Sequence, residues 1–314
     1  MYQHILYSVE APVATITMNR PDNLNAFTTR MLAEIRHALA EAERDERVVG
    51  IVLTGAGRGF CAGMDMNALN DMSSGAGRAA DDLSALDAHP GDRKLGENFD
   101  VAYTYLLSIR KPLLAAINGA CAGLGFCVAL LCDMRFVDKT AKFTTAFSQR
   151  GLVAEHGASW ILPRLIGPGR ALDLLWSARK FDGIEARELG IAERLCEPGT
   201  AATEASNYIK QLAQSAAPMS LMVMKQQVYK HLNMQLGESM RDSNKLMAES
   251  LKRDDFKEGV RSFMERRPPN FKRLQVAAPA KTRDTRAKQA KKQAKTPAKT
   301  RAKTGAKARA RKKA

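Results

Sequence analysis

The sequence predicts an α/β fold that continues into a helical C-terminal part and ends in a disordered basic tail. Three observations predict it. Up to about residue 150, short apolar runs of strand length alternate with helix-like stretches, and beyond that point the pattern reads as helices only. Two glycine-rich stretches, 55–66 and 119–125, each follow directly on an apolar run, which places a turn at the end of a strand. Residues 278–314 repeat Ala-Lys-Thr units and carry no aromatic side chain, so they cannot bury the surface a fold requires.

In chain order, residues 4–9 and 13–18 alternate apolar and polar around Ala11-Pro12 and read as a hairpin. Residues 19–23 form a loop. Thr28 or Thr29 caps a helix that runs to about Arg44, with Met31, Leu32, Ile35, Leu39 and Ala42 on one face. A buried strand is expected over 48–54. Residues 70–97 are rich in Gly, Ala, Ser and Asp and read as a loop with weak helix, of the kind that covers a site. A helix is expected over 98–109, and Pro112 closes the connection. Residues 113–117 read as a buried strand, and the glycine-rich turn leads to a helix over 126–132. A strand over 134–137 and a short strand or turn over 143–151 precede the loop Leu152-Val153-Ala154-Glu155-His156-Gly157. Further helices are expected over 159–165, 170–177, 184–189, 200–216, 219–240 and 254–266.

With 314 residues, 45% of them hydrophobic, the chain can build a sizeable core in one large domain or two. Its net charge of +16 is concentrated in the tail. Residues 281–314 hold fifteen Lys or Arg and a single acid, Asp284, which leaves 34 bases against 32 acids before them. The five cysteines are odd in number and lack metal-ligand spacing, so they are expected to be reduced thiols in a cytoplasmic protein. The start lacks the basic-then-apolar pattern of a secretory leader, and no run has the length of a membrane span.

Within 117–133, Gly119, Gly123 and Gly125 sit where strand becomes helix. Small residues there let a ligand approach the backbone, and the first helical N–H groups have no intrahelical partner. The amides of Gly123, Leu124 and Gly125 could therefore hold an anion, or an oxygen that becomes one. A turn that only packs a helix closely on a sheet would use the same residues.

Read together, five ordered motifs carry a resemblance. They are Asn19-Arg20-Pro21 with Leu24-Asn25-Ala26-Phe27; Gly59 through Asp65; and Ala116-Ile117-Asn118-Gly119 with Gly123-Leu124-Gly125 and Cys132-Asp133. The others are Arg179-Lys180-Phe181 with Glu185-Ala186 and Gly190-Ile191, and Phe263 through Arg267. Over about 1–275 the chain resembles the crotonase superfamily, the enoyl-CoA hydratase/isomerase group. The resemblance implies a crotonase fold, a spiral ββα superhelix, with a core over 1–200 and a helical trimerisation region over 201–275. It implies acyl-CoA thioester chemistry through an enolate whose oxygen is held by the amides of Met64 and Leu124, which follow Gly63 and Gly123. Ala26, Ala62, Asp65 and Met66 would then lie along the coenzyme A path. Arg20, Arg266 or Arg267 would reach phosphates, and Phe263 would pack there, in its own or a neighbouring subunit's site. A homotrimer or hexamer is implied. No cofactor or metal is expected, because coenzyme A is part of the substrate.

The acids decide the reaction. Hydratases of the group that work with two glutamates carry them at the positions of Cys127 and Phe147, and neither a thiol nor a phenyl ring can activate water as carboxylates do. The acid left in this neighbourhood is Glu155, where isomerase-like and dehalogenase-like members carry a catalytic acid. Glu155 is expected to be the general base and acid; the alternative is an ion pair with Arg150 or Arg164. His156 reads as a loop histidine rather than a direct participant, Asp133 as structural, Asp65 as fixing its loop, and Cys127 as a small apolar residue rather than a nucleophile. The expected activity is enoyl-CoA isomerase-type proton transfer, with hydration lacking the usual glutamates as one alternative. The other alternative is a nucleic-acid or polyanion-binding protein with an inactive body. The tail can bind DNA, RNA or polyphosphate by counterion release without reading sequence, or merely solubilise the chain.

Overall fold

The computed structural model describes residues 1–74 and 82–276. The basic tail and the middle of the expected covering loop lie outside the described residues. In chain order the strands are β1 (Ile5–Glu10), β2 (Val13–Met18), β3 (Gly50–Gly55), β4 (Gly59–Cys61), β5 (Leu113–Ile117), β6 (Ala120–Ala122), β7 (Met134–Asp138), β8 (Lys142–Thr144), β9 (Phe181–Asp182) and β10 (Arg194–Cys196). The helices are α1 (Thr29–Arg44), α2 (Met66–Ser74), α3 (Leu124–Leu130), α4 (Ala158–Ile166), α5 (Pro168–Ser177), α6 (Gly183–Leu189), α7 (Ala201–Ser215), α8 (Pro218–His231), α9 (Leu236–Ser250) and α10 (Asp254–Met264).

Six strands form the main sheet in the order β1-β2-β3-β5-β7-β10. The hairpin β1–β2 is antiparallel, and every later pair is parallel. Parallel strands need cover on both faces, which explains why β3 and β5 are apolar without alternation. Ile51, Leu53, Ala115 and Ile117 join the larger core, which α1 closes with Met31, Ile35, Ala38, Leu39 and Ala42. Val52, Leu114 and Ala116 face the other way and meet Ala201, Ala205 and Ile209, one stripe of α7. The core thus continues past residue 200. Ile209 needs the bare backbone of Gly50, where a β-carbon would lie 2.8 Å from its Cγ1.

Thr28 caps α1 as expected, its hydroxyl accepting from the Met31 amide at 3.1 Å. At the other end the buried Lys111 ammonium donates to Ala42 O at 2.9 Å and Asp45 O at 2.7 Å, covering carbonyls that the last helical turn leaves open.

β4, β6, β8 and β9 form a second, smaller sheet. β4 and β6 run parallel with Cys61 opposite Cys121, and β6 runs parallel to β8. Each of the two glycine-rich stretches supplies one of these strands.

Several expectations are corrected. No α-helix spans 98–109; Glu97–Phe99 and Thr104–Ser108 form 3-10 turns. Ala102 has left-handed backbone (φ 41°), and the consecutive buried residues Tyr105, Leu106 and Leu107 leave no polar helix face. The helix expected over 219–240 is two helices. The chain turns after Leu232, and Asp242 of α9 pairs back to Lys230 and His231 of α8. β9 and β10 were not legible; two and three residues long, they lack an apolar run. Among the described residues no helix is long and apolar enough to cross a membrane.

Because Ile209 closes the second face of the sheet, Ile209→Ala is expected to cost about 2–5 kcal/mol in urea denaturation. A near-zero loss would show that α7 is not seated there.

Candidate active site

Parallel pairing of β4 and β6 sends the chain out of both strands at the same end. Residues 62–66 and 122–125 therefore emerge side by side. The first of these segments is tied to the loop before α1: Phe27 N donates to Gly63 O at 2.7 Å, and Asp65 N to Phe27 O at 3.0 Å. This two-bond bridge uses the Gly63 carbonyl and the Asp65 N–H and leaves the Met64 N–H directed away from it. Leu124 opens α3, so its N–H is one of those without an intrahelical partner. Among the described residues neither amide finds a hydrogen-bond acceptor.

The residues before both amides must be glycine. Gly63 has φ 103°, and Gly123 has φ 50° with ψ −121°, conformations that L side chains rarely adopt. At Gly63 space is tight as well. A β-carbon on Gly63 would lie 3.1 Å from Ala122 O and 3.6 Å from the Leu124 nitrogen, and one on Gly123 would lie 4.0 Å from Gly63 Cα.

Both segments line one cleft of about 470 Å³. It is lined by Ala26, Ala62, Gly63, Met64, Asp65 and Met66, by Gly123 and Leu124, and by Thr145, Phe147, Leu152, Glu155 and His156. Asp65 holds its own loop, as expected, accepting from Arg20 Nη1 at 2.9 Å and from Asn67 N at 3.0 Å. Burial works to raise its carboxyl, but the hydrogen bonds from Arg20 and Asn67 outweigh it and hold Asp65 below the usual carboxylate range. Arg20 also donates to Ala26 O at 2.7 Å. It buttresses the loop and does not line the cleft. Phe263, Arg266 and Arg267 do not line it within one chain either. Arg267 pairs with Glu258 and Glu265, and the Arg267 guanidinium holds the Glu258 carboxyl down at about 2.

Glu155 reaches the cleft, and its carboxylate is partly exposed (39%). The alternative partners expected for it are engaged elsewhere. Arg150 donates to Ala146 O at 2.9 Å, and Arg164 lies over the Trp160 ring at 4.0 Å and donates to Trp160 O. The partner it does have is His156, with Nε2 3.3 Å from Oε2. The main chain of Glu155 is anchored as well: its carbonyl accepts from Ala158 N at 3.0 Å and from the Cys127 thiol at 3.6 Å.

Cys127 is fully buried, and burial, followed by the nearby Glu155 charge, pushes its thiol up to about 12. It acts as a tether for the Glu155 loop and is unsuited to be a nucleophile. Phe147 is a buried apolar wall of the cleft. Asp133 is structural: it accepts from Leu113 N at 2.7 Å, Lys225 Nζ at 2.7 Å and the Tyr229 hydroxyl at 3.0 Å, joining α8 to the sheet. Sequence reasoning missed Tyr103, whose ring meets His156 edge-on at 4.9 Å, because the segment carrying it was read as regular helix. It also missed the Cys127 tether, which no spacing signals.

A family profile described as "Enoyl-CoA hydratase/isomerase" matches residues 8–275. The 1,2-epoxyphenylacetyl-CoA isomerase of Escherichia coli K12 is 33% identical over 274 residues, 86% of this chain and 99% of the relative. The short-chain-enoyl-CoA hydratase of Clostridium acetobutylicum is 28% identical over 268 residues, 84% of this chain and 95% of the relative. The crystal structure of an enoyl-CoA hydratase from Polaromonas sp. JS666 superposes with a TM-score of 0.73 at 27% identity, covering 85% of this chain and 99% of that one. The crotonase fold is the one these chains share.

The Arg20–Asp65 pair has a definite pH signature. The folded carboxyl titrates below its unfolded value, so the pair stabilises fully above about pH 4 and fades as pH falls through the lower folded value. Asp65→Asn is therefore expected to lower the melting temperature at pH 7, with the deficit closing on acidification below about pH 4. A deficit independent of pH would remove the charge from the account.

Proposed function

The chain belongs to the enoyl-CoA hydratase/isomerase family, and on that premise we propose that it moves a double bond within an unsaturated acyl-CoA by proton transfer through Glu155. The observation that carries this reading is a pair of amides, Met64 and Leu124, that find no acceptor among the described residues and line the same cleft as Glu155, a carboxylate whose partner is the neighbouring His156. A thioester oxygen seated on both amides gains charge as the neighbouring carbon loses its proton, and each donor aimed at it lowers the barrier by roughly 3–4 kcal/mol. Glu155 takes the proton from C2 of a 3-enoyl thioester. The electron pair passes into a dienolate, the double bond moves to C2=C3, and the same carboxyl returns the proton at C4. One group suffices because it acts first as base and then as acid.

The residues at 127 and 147 favour this over hydration. Hydration with two glutamates needs a carboxylate where Cys127 is sealed away and where Phe147 presents a ring. Among the residues lining the cleft, the second carboxylate, Asp65, is spent on Arg20. The similarity to an isomerase at 33% identity supports the same preference, while hydratase-named relatives keep hydration as the competing outcome.

We also propose that the chain acts as a homotrimer or hexamer. Exposed apolar side chains on α8, α9 and α10, among them Met224, Val228, Met240, Met247 and Phe263, support association through this region. Phe263, Arg266 and Arg267 would then serve a neighbouring subunit's cleft.

The purified protein is expected to convert 3-enoyl-CoA to 2-enoyl-CoA faster than it hydrates 2-enoyl-CoA. Glu155→Gln should reduce isomerisation roughly 10²- to 10⁴-fold while leaving thioester binding near its starting value. Full activity in Glu155→Gln would overturn the assignment of the base, and hydration as the faster reaction would overturn the isomerase reading.

A further inference from the structure

We propose that His156 is a positioning residue for the reaction: it holds one oxygen of Glu155 so that the other is presented to the acyl chain. This rests on the reading of Glu155 as the base. The starting point is an oddity of backbone geometry. Successive side chains on extended chain point to opposite sides, so neighbours at 155 and 156 should not share a cleft. His156 has a left-handed φ of 54°, and Gly157 follows at 85°. Two left-handed residues in a row turn the chain sharply into α4 and bring both side chains to the same cleft. For a residue other than Gly, Asn or Asp this conformation is unfavourable, and it persists only where surrounding contacts maintain it.

Those contacts are present on three sides. The carbonyl of Glu155 is fixed from α4 by Ala158 N and from α3 by the Cys127 thiol. The imidazole stands edge-on against the Tyr103 ring, 4.9 Å between centroids and 87° between planes. With its plane set in this way, the ring places Nε2 3.3 Å from Glu155 Oε2. Glu155 has three side-chain torsions and a partly exposed carboxylate, so without a partner it would sample several rotamers. The imidazole selects one of them.

The test uses the full-length protein and two assays, isomerisation of 3-enoyl-CoA and exchange of the C2 protons of a saturated acyl-CoA into deuterated water. The second assay reads proton abstraction whatever the preferred double-bond position. Three variants separate the effects. His156→Asn keeps a residue that tolerates left-handed backbone but is too short to reach the carboxylate. His156→Gln extends an amide donor toward the place of Nε2. His156→Ala removes both donor and ring. The proposal predicts that Asn and Ala lower kcat roughly 10- to 100-fold with KM little changed. It predicts that Gln recovers most of the rate.

Equal losses in Asn, Ala and Gln would overturn the positioning role and leave a structural one. A fall in Asn and Ala confined to KM would overturn it as well. Glu155→Gln is measured alongside. If it abolishes both reactions while the His156 variants remain at full rate, the positioning proposal fails and the base survives. If Glu155→Gln is itself fully active in both assays, the base assignment fails, and the positioning role fails with it.

Discussion

The arrangement of this molecule depends on the parallel pairing of two three-residue strands, β4 and β6. A parallel pair delivers both chains to the same edge, so two glycine-rich segments almost sixty residues apart leave the sheet together. Everything the cleft does follows from that adjacency. The Met64 amide is left over because its neighbours are used in a bridge to Phe27, and the Leu124 amide is left over because a helix begins there. Neither amide needs a particular side chain. What they need is bare backbone just before them, and at Gly63 a single β-carbon would press on Ala122 O of the other segment.

The rest of the fold reads as support for that edge. The six-stranded sheet is sealed on one face by α1 and on the other by α7, and these two layers hold β5 in place just before the β6 turn. Buried polar groups do the remaining work. Asn25 donates to Ala56 O and Gly59 O and fixes the entry to β4, while Arg20 and Asp65 fix its exit. Asp133 at the end of α3 links the sheet to α8. Charged side chains named in a motif therefore serve the loops as much as any ligand, and Arg20 is the clearest case.

Much of this was legible in the sequence. The hairpin, the Thr28 cap, the apolar stripe of α1 and the buried strands expected over 48–54 and 113–117 follow from periodicity and capping chemistry, which are local. The two glycine stretches were legible as a site only jointly, through the ordered motifs that resemble a family. Tertiary features were not legible. β9 and β10 owe their existence to neighbouring strands rather than to their own residues, and a left-handed Ala102 broke a helix that composition favoured. The shared direction of Glu155 and His156 was hidden for the same reason, since it comes from backbone angles that no residue type announces. Cys127 was read as a small apolar residue, and it is buried; its further role as a tether is a tertiary contact.

The central claim is that two main-chain amides polarise one thioester carbonyl. The most direct measurement is the infrared difference spectrum of an acyl-CoA labelled with carbon-13 at the thioester carbonyl, bound to the full-length protein. Two donors converging on that oxygen weaken the C=O bond, so the account predicts a carbonyl band at lower frequency in the complex than in water. A band at the aqueous frequency or above it would contradict the account, because the oxygen would then be held by nothing stronger than solvent.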